Sequence, residues 1–187
     1  LTTGPVIVLL GISGVGKSRL ARSIAIARPA ILRLTASELL RSSLHTTGER
    51  LRTASSAQVR GNQTQLGPAL AKARENNWCR PVLLEAHSFI DNDRELVDVP
   101  TSVMRELGAC GFLILEAPPA DIYRHREEDS RIRPTRDIDE LDRQQRHGRQ
   151  LARQYATELN VPLRFVGSDD KEAALSFVDE VLSRPSP

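Results

Sequence analysis

Val6-Ile7-Val8-Leu9-Leu10 is an apolar run that ends in Gly11-Ile12-Ser13-Gly14-Val15-Gly16-Lys17-Ser18, and this junction constrains the fold more than any other stretch. A continuous apolar run of that length suits a strand buried on both faces, as in a parallel sheet. The eight residues after it have the form G-x-x-x-x-G-K-S, and Arg19 to Ala27 reads on as a helix. Strand, glycine loop and helix in that order form the context that a phosphate-binding loop requires. Glycines at 11, 14 and 16 let the backbone curl around an anion without Cβ interference, so amides of the Gly11–Ser18 loop point inward, those of Ser13 and Val15 among them. The helix adds its positive N-terminal end. Lys17 is placed to reach β- and γ-phosphates, and the Ser18 hydroxyl to ligate Mg²⁺. A glycine-rich turn with an ordinary surface lysine is the bland alternative. The strand before and the helix after favour a site for a nucleoside triphosphate such as ATP.

Downstream, apolar runs alternate with helical patterns. Ile31 to Leu34 is predicted as a second strand, followed by a helix over 35–43 with Leu39, Leu40 and Leu44 on one face. A helical region over 55–76, interrupted near Gly67-Pro68, precedes a third strand from Pro81 to Glu85. Residues 88–99 read as a loop, 100–107 as a helix and 111–116 as a fourth strand. Helices over 119–129 and 138–159 flank an irregular basic segment at 130–135. A fifth strand over 161–166 and a helix over 170–183, capped by Ser168 or Asp169, follow. The expected architecture is α/β, a three-layer P-loop NTPase fold with a five-stranded parallel sheet between helices. A chain of 187 residues without linkers or low-complexity tracts is expected to be one domain.

Three groups of residues carry candidate chemistry. In a parallel sheet, ligands sit beyond the carboxyl ends of the strands. Glu85 lies at such an end, where a carboxylate can hold Mg²⁺ directly or through water, and His87 follows it as a substrate contact or a structural histidine. Arginines form the second group: Arg124, Arg126, Arg131, Arg133 and Arg136 near the irregular segment, then Arg146, Arg149 and Arg153 at helical spacing. Forked guanidiniums suit a lid over a triphosphate, although neighbouring carboxylates offer each of them a plain ion pair. The third group, Thr35, Ser37, Arg41 and Arg52, suits a flap over about 35–76 that holds an acceptor.

Together these parts resemble the adenylate kinase family, most closely its archaeal-type and nuclear adenylate-kinase-like branch. The matching residues are Gly11 to Ser18, Glu85-Ala86-His87, the short arginine lid at about 130–137 and the long helix after it. The resemblance implies a sheet in the order 2-3-1-4-5 and transfer of the γ-phosphoryl of ATP to AMP or a similar acceptor, with Mg²⁺. It implies catalytic roles for Lys17, Arg131, Arg133 and Arg149, donor binding by Arg124, and acceptor binding by Thr35 to Arg41 and Arg52. Two departures stand out: Glu85 replaces the usual aspartate, and Gly11-Ile12-Ser13-Gly14 replaces Gly-x-Pro-Gly, a variant shared with kinases of small metabolites.

Two other readings stay open. A kinase of a metabolite hydroxyl would need a carboxylate base, for which Glu85 or Glu38 is available. An ATP-hydrolysing assembly or RNA-associated switch would use the arginine stripe, but a formal net charge of only +2 and an aromatic content of 4% disfavour a nucleic-acid partner. Small-molecule nucleotides are therefore the expected partners, with a homo-oligomer left open. No stretch approaches the length of a membrane span, so no membrane partner is expected. Cys79 and Cys110 make no metal or disulfide pattern, which suits a cytoplasmic setting.

Overall fold

The computed structural model describes residues 3–130 and 133–184, so Arg131 lies outside the described residues. Strand β1 (Val6–Leu10) is buried at every position, and helix α1 (Lys17–Ala27) follows the loop. Next come β2 (Leu32–Thr35), α2 (Ala36–Leu44) and α3 (Gly48–Arg52). Helices α4 (Ser56–Gln63) and α5 (Leu66–Ala73) lead to β3 (Val82–Glu85). The chain continues through β4 (Phe89–Asp91), β5 (Leu96–Asp98), α6 (Thr101–Glu106) and β6 (Ala109–Glu116). It ends with α7 (Pro119–Glu128), α8 (Ile138–Leu159), β7 (Leu163–Gly167) and α9 (Lys171–Ser183).

The five-stranded sheet has the order β2-β3-β1-β6-β7, with every neighbouring pair parallel. Counting only this sheet's strands, that is the expected 2-3-1-4-5. Side chains alternate across a strand, and β6 shows what covers each face. A Cβ at Gly111 would meet Val181 and Phe177 of α9, whereas Phe112 stacks at 5.7 Å on Tyr155 of α8. Helix α1 packs with α9, and α6 with α8, so the sheet is the middle of three layers. The layering sets β1 at the centre and aims the loop after it at the carboxyl edge of the sheet.

Three local expectations are corrected. Residues 88–99 are not a loop but an antiparallel hairpin, β4 with β5. Its strands of three residues are too short for a period of two to register in sequence. The Asn92 side chain shapes the turn by accepting from the Arg94 and Glu95 amides at 3.1 and 2.9 Å. The break in the 55–76 region falls at Thr64-Gln65 rather than at Gly67-Pro68. Pro68 sits in the first turn of α5, where a missing amide costs nothing. Helix α9 is capped by Asp170, whose carboxylate accepts from the Ala173 amide, rather than by Ser168 or Asp169.

The hairpin is tied to the sheet's outer layer by Tyr155. Its buried hydroxyl lies 3.0 Å from the Ser88 carbonyl oxygen and 2.5 Å from that of Val99, and burial pushes the phenol's pKa up. Tyr155→Phe leaves the Val99 carbonyl without this donor and should lower stability by about 1–2 kcal/mol. Urea denaturation measures this, and an unchanged midpoint would show that the hairpin is not anchored there.

Candidate active site

The loop between β1 and α1 has the backbone that its glycines suggest. Gly11 and Gly14 have φ of 153° and 87°, in the region that side chains avoid. A Cβ would also lie 2.8 Å from the Leu115 carbonyl at Gly11 and 2.8 Å from Arg126 Cγ at Gly14. Lys17 Nζ arches over the loop and donates to the Gly11 and Ile12 carbonyls at 2.7 and 3.2 Å. The first turn of α1 carries no acidic side chain, so the helix's positive end is not offset by its own residues.

Parallel pairing of β1 with β3 brings Glu85 opposite Leu9, at the edge of the sheet from which the loop departs. Ser18 Oγ donates to Glu85 Oε2 at 2.7 Å, and Arg33 Nε donates to Oε1 at 2.7 Å. Glu85 is buried. Among the described residues there is no group of three or more His, Cys, Asp or Glu able to hold a metal ion. The protein's own offer to a cation is therefore one hydroxyl and one carboxylate. Hard oxygen donors of that kind fit Mg²⁺ that keeps its remaining positions for phosphate and water.

Two arginines converge on Ser13. Arg126 Nε donates to its carbonyl at 2.9 Å, and Arg133 Nε donates to its hydroxyl at 3.0 Å. Arg133 also pairs with Asp129. In each guanidinium, Nη1 is buried with no hydrogen-bond partner. A buried, unsatisfied N–H of a charged group is costly, which makes this cluster a candidate place for an anion. Burial, helped by Arg133, lowers the Arg126 pKa to about 10. His87 lies against the same cluster. The charge of Lys17 and then burial hold its pKa well below the usual histidine range, with Arg126 and Arg133 adding to the effect and a hydrogen bond at Gly11 opposing it.

Ser13, His87 and Arg133 stand where two cavities meet. One, of about 810 Å³, is walled by the loop, Arg33, Glu85, His125 and Ser168. The other, of about 530 Å³, lies under α2 to α5 and the hairpin. Its walls are largely apolar, with Leu40, Leu51, Val59, Leu66, Phe89 and Met104, and it holds the buried amides of Gln63 and Gln144. That combination suits a flat organic group with a few polar edges.

Most residues expected in the site lie here. Thr35 lines the loop's cavity with its hydroxyl bonded to Glu38, and Ser37 and Arg41 line both cavities. Arg52 lines the apolar cavity but is paired with Asp93 in the hairpin turn. Two of the expected residues are paired outside both cavities. Arg149 forks onto Glu116 at 2.9 and 2.8 Å and lies 5.6 Å from the Phe165 ring, outside the walls of both cavities. Arg124 pairs with Asp121 on the exposed side of α7 and also lines neither. Helical spacing alone did not say which arginine turns inward. Arg126 does, four residues after the fully buried Ile122, and that period was the available signal. Sequence reasoning gave no role to Arg33, Asp91 or Gln144, which a strand and a long-range hairpin contact bring to the site.

A central glycine loop, a parallel sheet and a second cavity beside the loop define a P-loop kinase fold. The chain belongs to a family of AAA domains, whose pattern matches residues 10–142. Its fold is shared with shikimate kinase from Bacteroides thetaiotaomicron, with a TM-score of 0.56 over 96% of this chain and 99% of that one, at 17% identity. No curated protein sequence matches the chain.

His87 gives the site an acid-side signature. Its folded pKa is depressed, so the unfolded chain binds the proton first and stability falls as pH drops through the ordinary histidine value near about 6.5. The slope from this one group is at most about 1.4 kcal/mol per pH unit. His87→Gln should flatten the loss of stability between about pH 7 and 5, followed by urea midpoints. A variant with the wild-type slope would contradict the assignment.

Proposed function

We propose that the chain is an ATP-dependent nucleoside monophosphate kinase that moves the γ-phosphoryl of ATP to AMP or a similar acceptor. The observation that carries this reading is the pair of buried, unpartnered Nη1 atoms of Arg126 and Arg133 at Ser13, where the two cavities join. Positive charge without a nearby free carboxylate suits an acceptor that is itself a phosphate. The acceptor oxygen attacks the γ-phosphorus as the bond to the departing ADP oxygen breaks, and an anionic acceptor needs no base.

The loop amides and Lys17 hold the donor phosphates, and Ser18 with Glu85 orients Mg²⁺, which supplies charge neutralisation when bound. Arg133 and Arg126 neutralise the negative charge that gathers between donor and acceptor. Arg131 joins the same lid by its place in the sequence. His87, kept neutral, adds a hydrogen bond without adding charge. Ser37 and Arg41 face the acceptor phosphate, and the apolar cavity takes its base. Lys17 has to leave the Gly11 and Ile12 carbonyls to reach phosphate, which places its contribution in the loaded state.

A second reading, a kinase of a small hydroxyl metabolite, rests on Asp91 in the acceptor cavity. The carboxyl's pKa is lowered by hydrogen bonds from Arg136 and Gln144, against the raising effect of burial, so it is ionised at neutral pH. Both of its oxygens are engaged, however, by Arg136 at 2.8 and 2.9 Å and by Gln144 at 2.8 Å. A carboxylate held that way is a poor proton acceptor.

A coupled assay of ADP formation across nucleoside monophosphates and hydroxyl metabolites, shikimate included, separates the readings. The expected result is turnover only with a monophosphate, falling roughly 10²–10³-fold in Lys17→Ala or Arg133→Ala. Turnover with shikimate or a sugar alone would favour the second reading. Equal ATP turnover with and without any acceptor would remove both.

A further inference from the structure

Glu85, the carboxylate on the metal side of the loop, is occupied on both oxygens. Oε2 accepts from Ser18 Oγ at 2.7 Å, while Oε1 accepts from Nε of Arg33 at 2.7 Å and lies 2.7 Å from its Nη2 in an ion pair. The pairing follows from the sheet. Arg33 on β2 is level with Leu83 on β3, so it shares a face with Glu85 two residues on and reaches forward along the strands to it. The Glu85 side chain is 4% exposed and that of Arg33 31% exposed, and both line the cavity of the glycine loop. A buried carboxylate is thus neutralised by a guanidinium whose outer part opens toward the place of the phosphates.

We propose that Arg33 is a positioning residue that fixes Glu85 and acts as a tethered cation, standing in for part of the charge that a divalent ion brings to a bound nucleoside triphosphate. This rests on the reading of the loop as a nucleotide site. A divalent ion entering beside Ser18 meets a carboxylate whose charge is already matched and a like charge next to it. Its gain on binding is therefore smaller than at a bare carboxylate. Polyphosphate, in contrast, meets guanidinium N–H donors on a charge-balanced pair rather than a bare carboxylate, with or without metal. The nucleotide site of this chain should therefore depend only weakly on divalent ions for affinity, with the metal arriving on the nucleotide rather than waiting on the protein.

Calorimetric titration of a non-hydrolysable ATP analogue, in EDTA and in excess Mg²⁺, tests this on the full chain. Wild-type affinity in the two buffers should agree within about tenfold. Arg33→Met should weaken metal-free binding by at least about tenfold and change binding with Mg²⁺ by less than about threefold. Arg33→Lys, which keeps the charge but not the fork, should restore most of the metal-free affinity. Glu85→Gln keeps hydrogen-bond partners for Arg33 and Ser18 while removing the negative charge, and it should strengthen metal-free binding; this arm stands if Arg33→Met fails to fold. Losses of equal size in both buffers would reduce Arg33 to a structural role and overturn the proposal. So would a wild-type difference above about a hundredfold, or no strengthening in Glu85→Gln. No binding by the wild type in either buffer would instead remove the nucleotide reading on which the proposal rests.

Discussion

Everything at the carboxyl edge of the sheet depends on how positive charge is held around Ser13. The loop offers a backbone carbonyl and a hydroxyl there, and two arginines from different segments take them. Each contact satisfies one N–H and leaves another buried N–H of the same guanidinium without a partner. Such a cluster opposes itself: Arg133 contributes to lowering the Arg126 pKa, and Lys17 does most to keep His87 neutral. Native structures rarely leave buried donors unmatched, and functional sites are the usual exception. An anion resolves the conflict, and the cavities on either side of Ser13 give it two directions from which to arrive.

Several arginines away from the loop are each balanced by a carboxylate. Arg136 is bound by Asp91, Arg52 by Asp93, Arg149 by Glu116 and Arg28 by Asp179. The first two tie Arg52 at the end of α3 and Arg136 ahead of α8 to the hairpin. The exposed pair of Arg28 with Asp179 contributes little to stability.

Much of this was legible in the sequence. The strand, the glycine loop and the helix specify one another, because an anion-binding loop needs a buried strand behind it and a helix end in front. The place of Glu85 at the loop's edge of the sheet was legible too, because the apolar run of β3 ends in that carboxylate. The direction of a side chain on a helix was not. Arg124, Arg126 and Arg149 look alike in composition, and what separates them is whether Asp121, Ser13 or Glu116 is within reach, which only the packing of α7 and α8 against the sheet decides. The hairpin was hidden by brevity. Arg33 was hidden because a lone cation within an otherwise apolar strand has no local pattern to mark it.

The central claim is that one continuous track for phosphate runs past Ser13 from the loop's cavity into the apolar one. The most direct measurement is a crystal structure of the protein with a bisubstrate analogue that joins two adenosines through a polyphosphate. One adenosine should occupy each cavity, with a phosphate oxygen within about 3 Å of a guanidinium nitrogen of Arg126 or Arg133. An analogue bound on one side only, with both Nη1 atoms still without a partner, would contradict it.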